Sequence, residues 1–375
     1  MQIQPSLLKN EEAVIFALRE IYRAYGYSCF KMNKFEEYDL YSRHKDFLVS
    51  ERIITFTDTD GKLMALKPDV TLSIVKNFAN QKGSADEVKR VYYDETVYRA
   101  TDRSENYKEI MQTGIECMGA LDEYHVLEVL LLAGMSLARI SPDSVLNLSS
   151  LDVLSLMLEG AEAQAKAEIM AAIGQKNTDG VRALCERFGL SLSDADFLCA
   201  LTETAGDTQE IISSLSKKTE REDVKNALLR LGAAAKTTEA MAGVRVQIDF
   251  SVATDGKYYN GLVYRGFVMG VPTAVLSGGQ YDRLLHKMGK KASAVGFAVY
   301  LDALERMTDN ARRYDVDVLL IYSENDPPSR VLSEALAYAK EGKRVSVQKE
   351  VPKGLSFAET AYVPMPLNEE ELSNG

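Results

Sequence analysis

Four short segments carry side chains that could do chemistry on a small polar ligand. The run Leu66-Lys67-Pro68-Asp69-Val70-Thr71 sets a carboxylate and a hydroxyl where a strand gives way to a helix. Asp and Thr in such a place either cap the helix or meet a cation. Tyr98-Arg99 ends another strand. Gln112 and Glu116 follow on the return strand at even spacing, so their side chains share one face. Glu116 stands among Ile115, Cys117 and Met118, and a carboxylate on a buried face needs a partner. That partner is either Arg99, in a buried ion pair, or a ligand on a polar pocket floor. Tyr258, Tyr259 and Asn260 follow Asp255-Gly256-Lys257 between two strands, which reads as a hairpin turn with aromatic flanks. In the fourth segment, Leu276 to Asp282, Gly278-Gly279 permits close backbone approach and, taken alone, breaks the strand in a turn.

The elements that must hold these residues can be read from periodicity. Residues 10–25 repeat apolar side chains at helical spacing, and Gly26 suits a C-terminal cap. Arg52 to Thr57, a turn at Asp58 to Gly61, and Lys62 to Leu66 predict a β-hairpin. Asp69 to Asn80 predicts a helix entered after Pro68. Lys89 to Tyr98 and Glu109 to Gly119 predict paired strands, with Ala100 to Asn106 as the loop. A long helix from Asp122 to Ile140 and a strand from Leu146 to Ser150 follow. From about Val153 to Ala242 the chain is rich in Ala, Leu, Glu and Lys and predicts an all-helical segment. Strands are expected again at Val244 to Val252, Gly261 to Met269, Thr273 to Leu276 and Ala294 to Ala298, with helices at Tyr281 to Lys287 and Tyr300 to Thr308. Val316 to Tyr322, Pro328 to Glu341 and Arg344 to Gln348 predict a βαβ unit. Antiparallel strands with helices grouped between them indicate an α+β fold.

Composition narrows the function. The 375 residues carry 44 Lys+Arg against 55 Asp+Glu, a net charge of −11, with 46% hydrophobic residues. Such a chain can bury a core, and it is a poor candidate for binding nucleic acid through clustered cations. The longest apolar run, around Val129 to Ala138, falls far short of the roughly 20 residues of a membrane span. No secretory signal is apparent at Met1 to Pro5. Cys29, Cys117, Cys185 and Cys199 show no CxxC spacing, and His44, His125 and His286 stand apart. Neither a disulfide framework nor a metal cluster is expected, and a cytoplasmic location is.

Taken in order, the segments resemble the histidyl-tRNA synthetase family of class II synthetases over roughly residues 5–308. Leu66 to Thr71 is similar to the family's Leu-Arg-Pro-Glu-Gly-Thr. Tyr98-Arg99 with Asn106 to Gly119 resembles motif 2, and Tyr258 to Gly261 the histidine-specific Tyr-Tyr segment. Gly278 to Asp282 is similar to Gly-Gly-Arg-Tyr-Asp, and Ala294 to Ala298 to the start of motif 3. The resemblance implies a class II synthetase-like core over 1–152 and 243–308. A helical insertion would occupy 153–242, and a small C-terminal α/β unit 312–375.

The departures from the family lie on the nucleotide side. Thr101 stands in the place of the motif 2 glutamate that meets ATP. Thr254 stands where a catalytic arginine should precede the Tyr-Tyr segment, and Ala303 where motif 3 should supply an arginine. Asn33 replaces the motif 1 proline, and the tail is short for an anticodon-binding domain. Adenylation needs cations on the developing charge, so these changes remove an ATP engine. By the resemblance, residues for L-histidine remain. Asp69 and Thr71, with Gln112 nearby, would meet the ammonium. Glu116 and a hydroxyl of Tyr258 or Tyr259 would hold the imidazole, and Arg99 would face the carboxylate.

This pattern is similar to the catalytically silent synthetase paralogues that serve as regulatory subunits of ATP phosphoribosyltransferase. It implies no catalytic residues and no cofactor. It implies a partnership with the short catalytic subunit, a homodimer within a hetero-oligomer, and no tRNA. Feedback by histidine on the first step of histidine biosynthesis would follow. The alternatives are an ATP-dependent histidine-activating enzyme and a free-standing amino-acid-binding module.

Overall fold

The structure, a computed structural model, describes residues 10–48, 52–80, 87–100, 107–204, 207–253, 258–304 and 314–364. The chain forms two compact units, residues 1–307 and 308–375.

The larger unit begins with α1 (Asn10–Ala24), whose buried stripe is Ile15, Leu18 and Tyr22. Gly26, at φ 80°, lets the chain turn out of it. A short strand β1 (Ser28–Cys29) follows. Next come β2 (Phe35–Glu37), α2 (Tyr38–Arg43), β3 (Thr55–Thr57), β4 (Leu63–Leu66) and α3 (Thr71–Asn80). β3 and β4 form the expected hairpin, and β2 pairs on the other side of β4. The aromatic-rich segment gives β5 (Lys89–Ala100), and β6 (Tyr107–Gly119) returns beside it. Ala100 thus belongs to the strand, while residues 101–106 lie outside the described residues. α4 (Glu123–Ile140) is capped by Asp122, whose side chain accepts from His125 N. Then come β7 (Ser144–Ser150) and six helices: α5 (Leu151–Met157), α6 (Ala163–Gly174), α7 (Thr178–Arg187), α8 (Leu192–Thr202), α9 (Thr208–Ser216) and α10 (Glu222–Ala242). The unit closes with β8 (Arg245–Ile248), β9 (Asn260–Val268), β10 (Leu276–Gln280), α11 (Asp282–Lys287), β11 (Ser293–Tyr300) and α12 (Leu301–Leu304).

The main sheet has eight strands in the order β1-β5-β6-β11-β10-β9-β7-β8. Neighbours from β5 to β7 in this order run antiparallel; the outer pairs β1/β5 and β7/β8 are parallel. This is the mixed, mainly antiparallel α+β sheet expected. One face is covered by α1 and α4. The helices after β7 join the same core, since Ile169, Val181, Phe197 and Leu228 cluster with Leu146, Leu148 and Tyr264.

Two expected boundaries differ. Gly278-Gly279 does not break a strand; both lie inside β10, paired with β9 and β11. A Cβ on Gly278 would come within 2.5 Å of Phe297 Cβ and 2.7 Å of the Tyr264 ring. The glycines therefore serve packing between strands, not a turn. The strand expected from Val244 to Val252 ends at Ile248, because the Asp249 side chain accepts from Ser251 N and starts a 3-10 turn. Residues 254–257, where the hairpin turn was expected, lie outside the described residues.

The smaller unit holds β12 (Val316–Ile321), α13 (Pro328–Lys340), β13 (Val345–Gln348) and β14 (Phe357–Tyr362). β12 is central and parallel to both neighbours. The expected βαβ is present, and β14 adds a third strand.

Candidate functional site

Strand register builds the floor of a cavity of about 330 Å³ in the larger unit. Arg265, Ser277, Ala298 and Gly114 pair in one row across β9, β10, β11 and β6. Two residues along, Val263, Gly279, Gly296 and Glu116 form the next row, on the same face. On the other side of the first row, Tyr300 stands beside Gln112. Small residues fill the middle of the floor, and longer polar ones stand at its margins. The depression is a consequence of side-chain size. At Gly296 a Cβ would overlap the Glu116 carboxylate and sit 2.5 Å from Ile115 O.

The wall comes from α3 and from the segment before β9. Asp69 caps α3 by accepting from Leu72 N at 2.8 Å, so the capping reading of the sequence holds. The same residue also lines the cavity. Thr71, the first residue of α3, donates its hydroxyl to Glu116 Oε1 at 2.7 Å. Tyr281 donates to the other oxygen, Glu116 Oε2. Tyr258 closes the site against Tyr259, Tyr281 and Phe47, with ring centroids 4.6, 5.8 and 5.9 Å away. Asp69, Thr71, Arg99, Gln112, Glu116, Tyr258 and Tyr259 all line this one cavity.

The electrostatics follow from burial. Glu116 is only 2% exposed, and desolvation raises its pKa from 4.5 to about 8, against the two hydroxyl donors that favour the charged form. The nearby Asp69 charge pushes it further the same way. Burial likewise raises Asp69, opposed by the Arg99 guanidinium and by backbone N–H donors. Tyr281 is held well above the ordinary phenol range by burial and by Glu116. Burial thus favours the protonated form of Glu116 well above the ordinary carboxylate range.

The Arg99–Glu116 ion pair is not formed. Register sets Arg99 opposite Lys108 and Glu116 opposite Val91, eight residues apart along β5. Arg99 turns back instead, donating from Nε to Pro68 O at 2.8 Å, with its NH2 3.6 Å from Asp69 Oδ2. Its task in this geometry is to fix the Lys67-Pro68-Asp69 corner. That corner is held further by the buried ion pair of Lys67 with Glu95 and by Tyr98 N donating to Lys67 O.

Two site residues escaped the reading of the sequence. Tyr281 belongs to a quoted motif, but only the fold brings it to Glu116 across 165 positions. Arg265 lines the cavity from the middle of β9 and had no motif around it. Of the places where the nucleotide-side residues are changed, Thr101 and Thr254 lie outside the described residues. Ala303, in α12, packs against the main apolar core.

Comparison with known proteins agrees with this architecture. The histidyl-tRNA synthetase family model matches residues 2–304. An ATP phosphoribosyltransferase regulatory subunit from Acetivibrio thermocellus is 25% identical over 316 residues, covering 82% of this chain and 75% of that protein. One from Lactococcus lactis subsp. cremoris is 27% identical over 297 residues, covering 78% and 91%. The crystal structure of an ATP phosphoribosyltransferase regulatory subunit/histidyl-tRNA synthetase from Bacillus halodurans superposes with a TM-score of 0.73 at 21% identity, over 96% of both chains. With a synthetase-type sheet, a carboxylate at the margin of its floor and a family match over residues 2–304, the chain belongs to the histidyl-tRNA synthetase family.

Proposed function

We infer that this chain is the regulatory subunit of ATP phosphoribosyltransferase, a non-catalytic member of its family that binds L-histidine and acts on a separate, short catalytic subunit. One observation carries the reading. The acceptors and donors for an amino acid line one cavity, while the sequence places Thr101, Thr254 and Ala303 where the family works on ATP. The relatives' shared name supports the partnership.

In this reading the imidazole enters between Glu116 and the hydroxyls of Tyr258 and Tyr281. It displaces the Thr71 contact and takes the Glu116 proton, leaving an imidazolium–carboxylate pair. Asp69, held by Arg99, faces the ammonium with Thr71. Gln112 faces the Cα substituents. Occupancy orders the α3 corner, and the feedback signal passes to the catalytic subunit as a coupling free energy, typically about 1–3 kcal/mol. The protein works as a homodimer within a hetero-oligomer, in the cytoplasm and without tRNA. No helix among the described residues is long and apolar enough to cross a membrane.

The test is titration calorimetry with L-histidine, on the chain alone and mixed with a short-form catalytic subunit. The expected result is histidine binding, complex formation, and phosphoribosyl transfer that needs both chains and is inhibited by histidine. A catalytic subunit indifferent to this chain would overturn the reading. Histidine-dependent exchange of pyrophosphate into ATP would replace it with the histidine-activating enzyme.

A further inference from the structure

Two cations line the cavity, Arg99 and Arg265, and the structure gives them different work. Arg99 spends its Nε on Pro68 O and leans on Asp69. Its charge is thereby partly neutralised and its fork turned toward the corner. Arg265 makes no hydrogen bond or ion pair among the described residues, although it lines the cavity. Near it the Ser277 and Tyr300 hydroxyls are joined at 2.6 Å. Gln112 is 2% exposed, and its Nε2 is buried without a partner. A buried amide N–H without an acceptor is costly, so a bound acceptor is the natural remedy. Arg265 on β9 and Ser277 on β10 stand on the far side of β11 from Glu116, whereas Gln112 shares β6 with Glu116, four residues away.

Spacing sets what fits between the margins. Glu116 is on β6 and Arg265 on β9, with β11 and β10 between them. Three strand spacings are about 14 Å. Arg265 is also one row away, about 7 Å along the strands, so the two backbones lie about 16 Å apart, a span that the Glu116 and Arg265 side chains with one amino acid between them can bridge. We infer that Arg265 is the anchor for the ligand's carboxylate, and that Arg99 is a positioning residue for Asp69. The assignment rests on the histidine reading of the cavity and makes the site specific for a free amino acid over its decarboxylated or reduced forms.

The experiment compares L-histidine with L-histidinol, which keeps the ring and the ammonium and replaces the carboxylate by an alcohol. Calorimetry on the full chain should show wild type preferring histidine by about 10- to 100-fold, the range of a lost charge-assisted bond. Arg265→Gln should bind the two compounds within about threefold of each other, with histidinol affinity near wild type. Arg265→Lys should restore part of the preference. Arg99→Gln should weaken both ligands and keep their ratio. A wild-type preference surviving in Arg265→Gln would overturn the assignment alone. Wild type binding neither compound would overturn the histidine reading and the assignment with it.

Discussion

Replacing Glu116 by Gln gives two results of opposite sign from one change. Burial raises the Glu116 pKa from 4.5 to about 8, so between those values the folded chain holds a proton that the unfolded chain has released. The favourable contribution is complete below about pH 4.5 and is lost progressively as pH rises to about 8. The full shift corresponds to about 5 kcal/mol. The group is 2% exposed, so solvent screens little of this. Gln reproduces the protonated form at every pH. Its amide can accept from Thr71 and donate to the Tyr281 oxygen, so both contacts survive. At pH 5 the variant and wild type should melt within a degree or two of each other. At pH 8.5 the variant should be the more stable by several kcal/mol, or about 5–10 °C in Tm. Histidine binding should move the other way, about 10- to 100-fold weaker, because the amide cannot form a charged pair with the imidazole. The assays are paired melts from pH 5 to 9 and calorimetry at pH 7.5. A Tm difference independent of pH would refute the protonation argument, and an unchanged Kd would remove Glu116 from the binding site.

Gly296→Ala should abolish histidine binding and lower the Tm markedly, because its Cβ would push the Glu116 carboxylate off Thr71 and Tyr281 and would sit 2.5 Å from the Ile115 backbone carbonyl, which cannot swing aside; an unaltered melt and Kd would show that the floor yields. Lys67→Met strands Glu95, whose partner Lys67 is 1% exposed, and should cost about 3–5 kcal/mol in denaturant unfolding. Adding Glu95→Leu should recover much of that loss, whereas an additive double mutant would argue against a coupled pair.

The strands and helices around the site were legible because their signals are local. Alternation in Lys89 to Tyr98, the Asp58-to-Gly61 turn and the Gly26 cap each specify a conformation within a few residues. Gly278-Gly279 misled for the opposite reason. A glycine pair signals freedom of the backbone in general, and only the pairing of β10 with β9 and β11 shows that the absent side chain, not a turn, is what the site requires. The strand β14 is short and largely exposed, so its alternation was too brief to stand out.

Residue types at the site were also readable, yet their partnerships were not, because partnership is decided by register. Arg99 and Glu116 looked like a pair by charge, and an eight-residue offset along the hairpin sends them to different tasks. The same offset lets Glu116 stay unneutralised by any described cation and carry a raised pKa, which a salt bridge would have abolished. Charge is thereby kept at the cavity margins: Arg99 serves the Asp69 corner, and Arg265, across the floor, makes no ion pair among the described residues. A site for transferring a nucleotide would gather its cations where phosphate charge develops. Here the two cavity cations are divided, one spent on architecture and one left for a single anion, which suits holding an amino acid and reporting its presence.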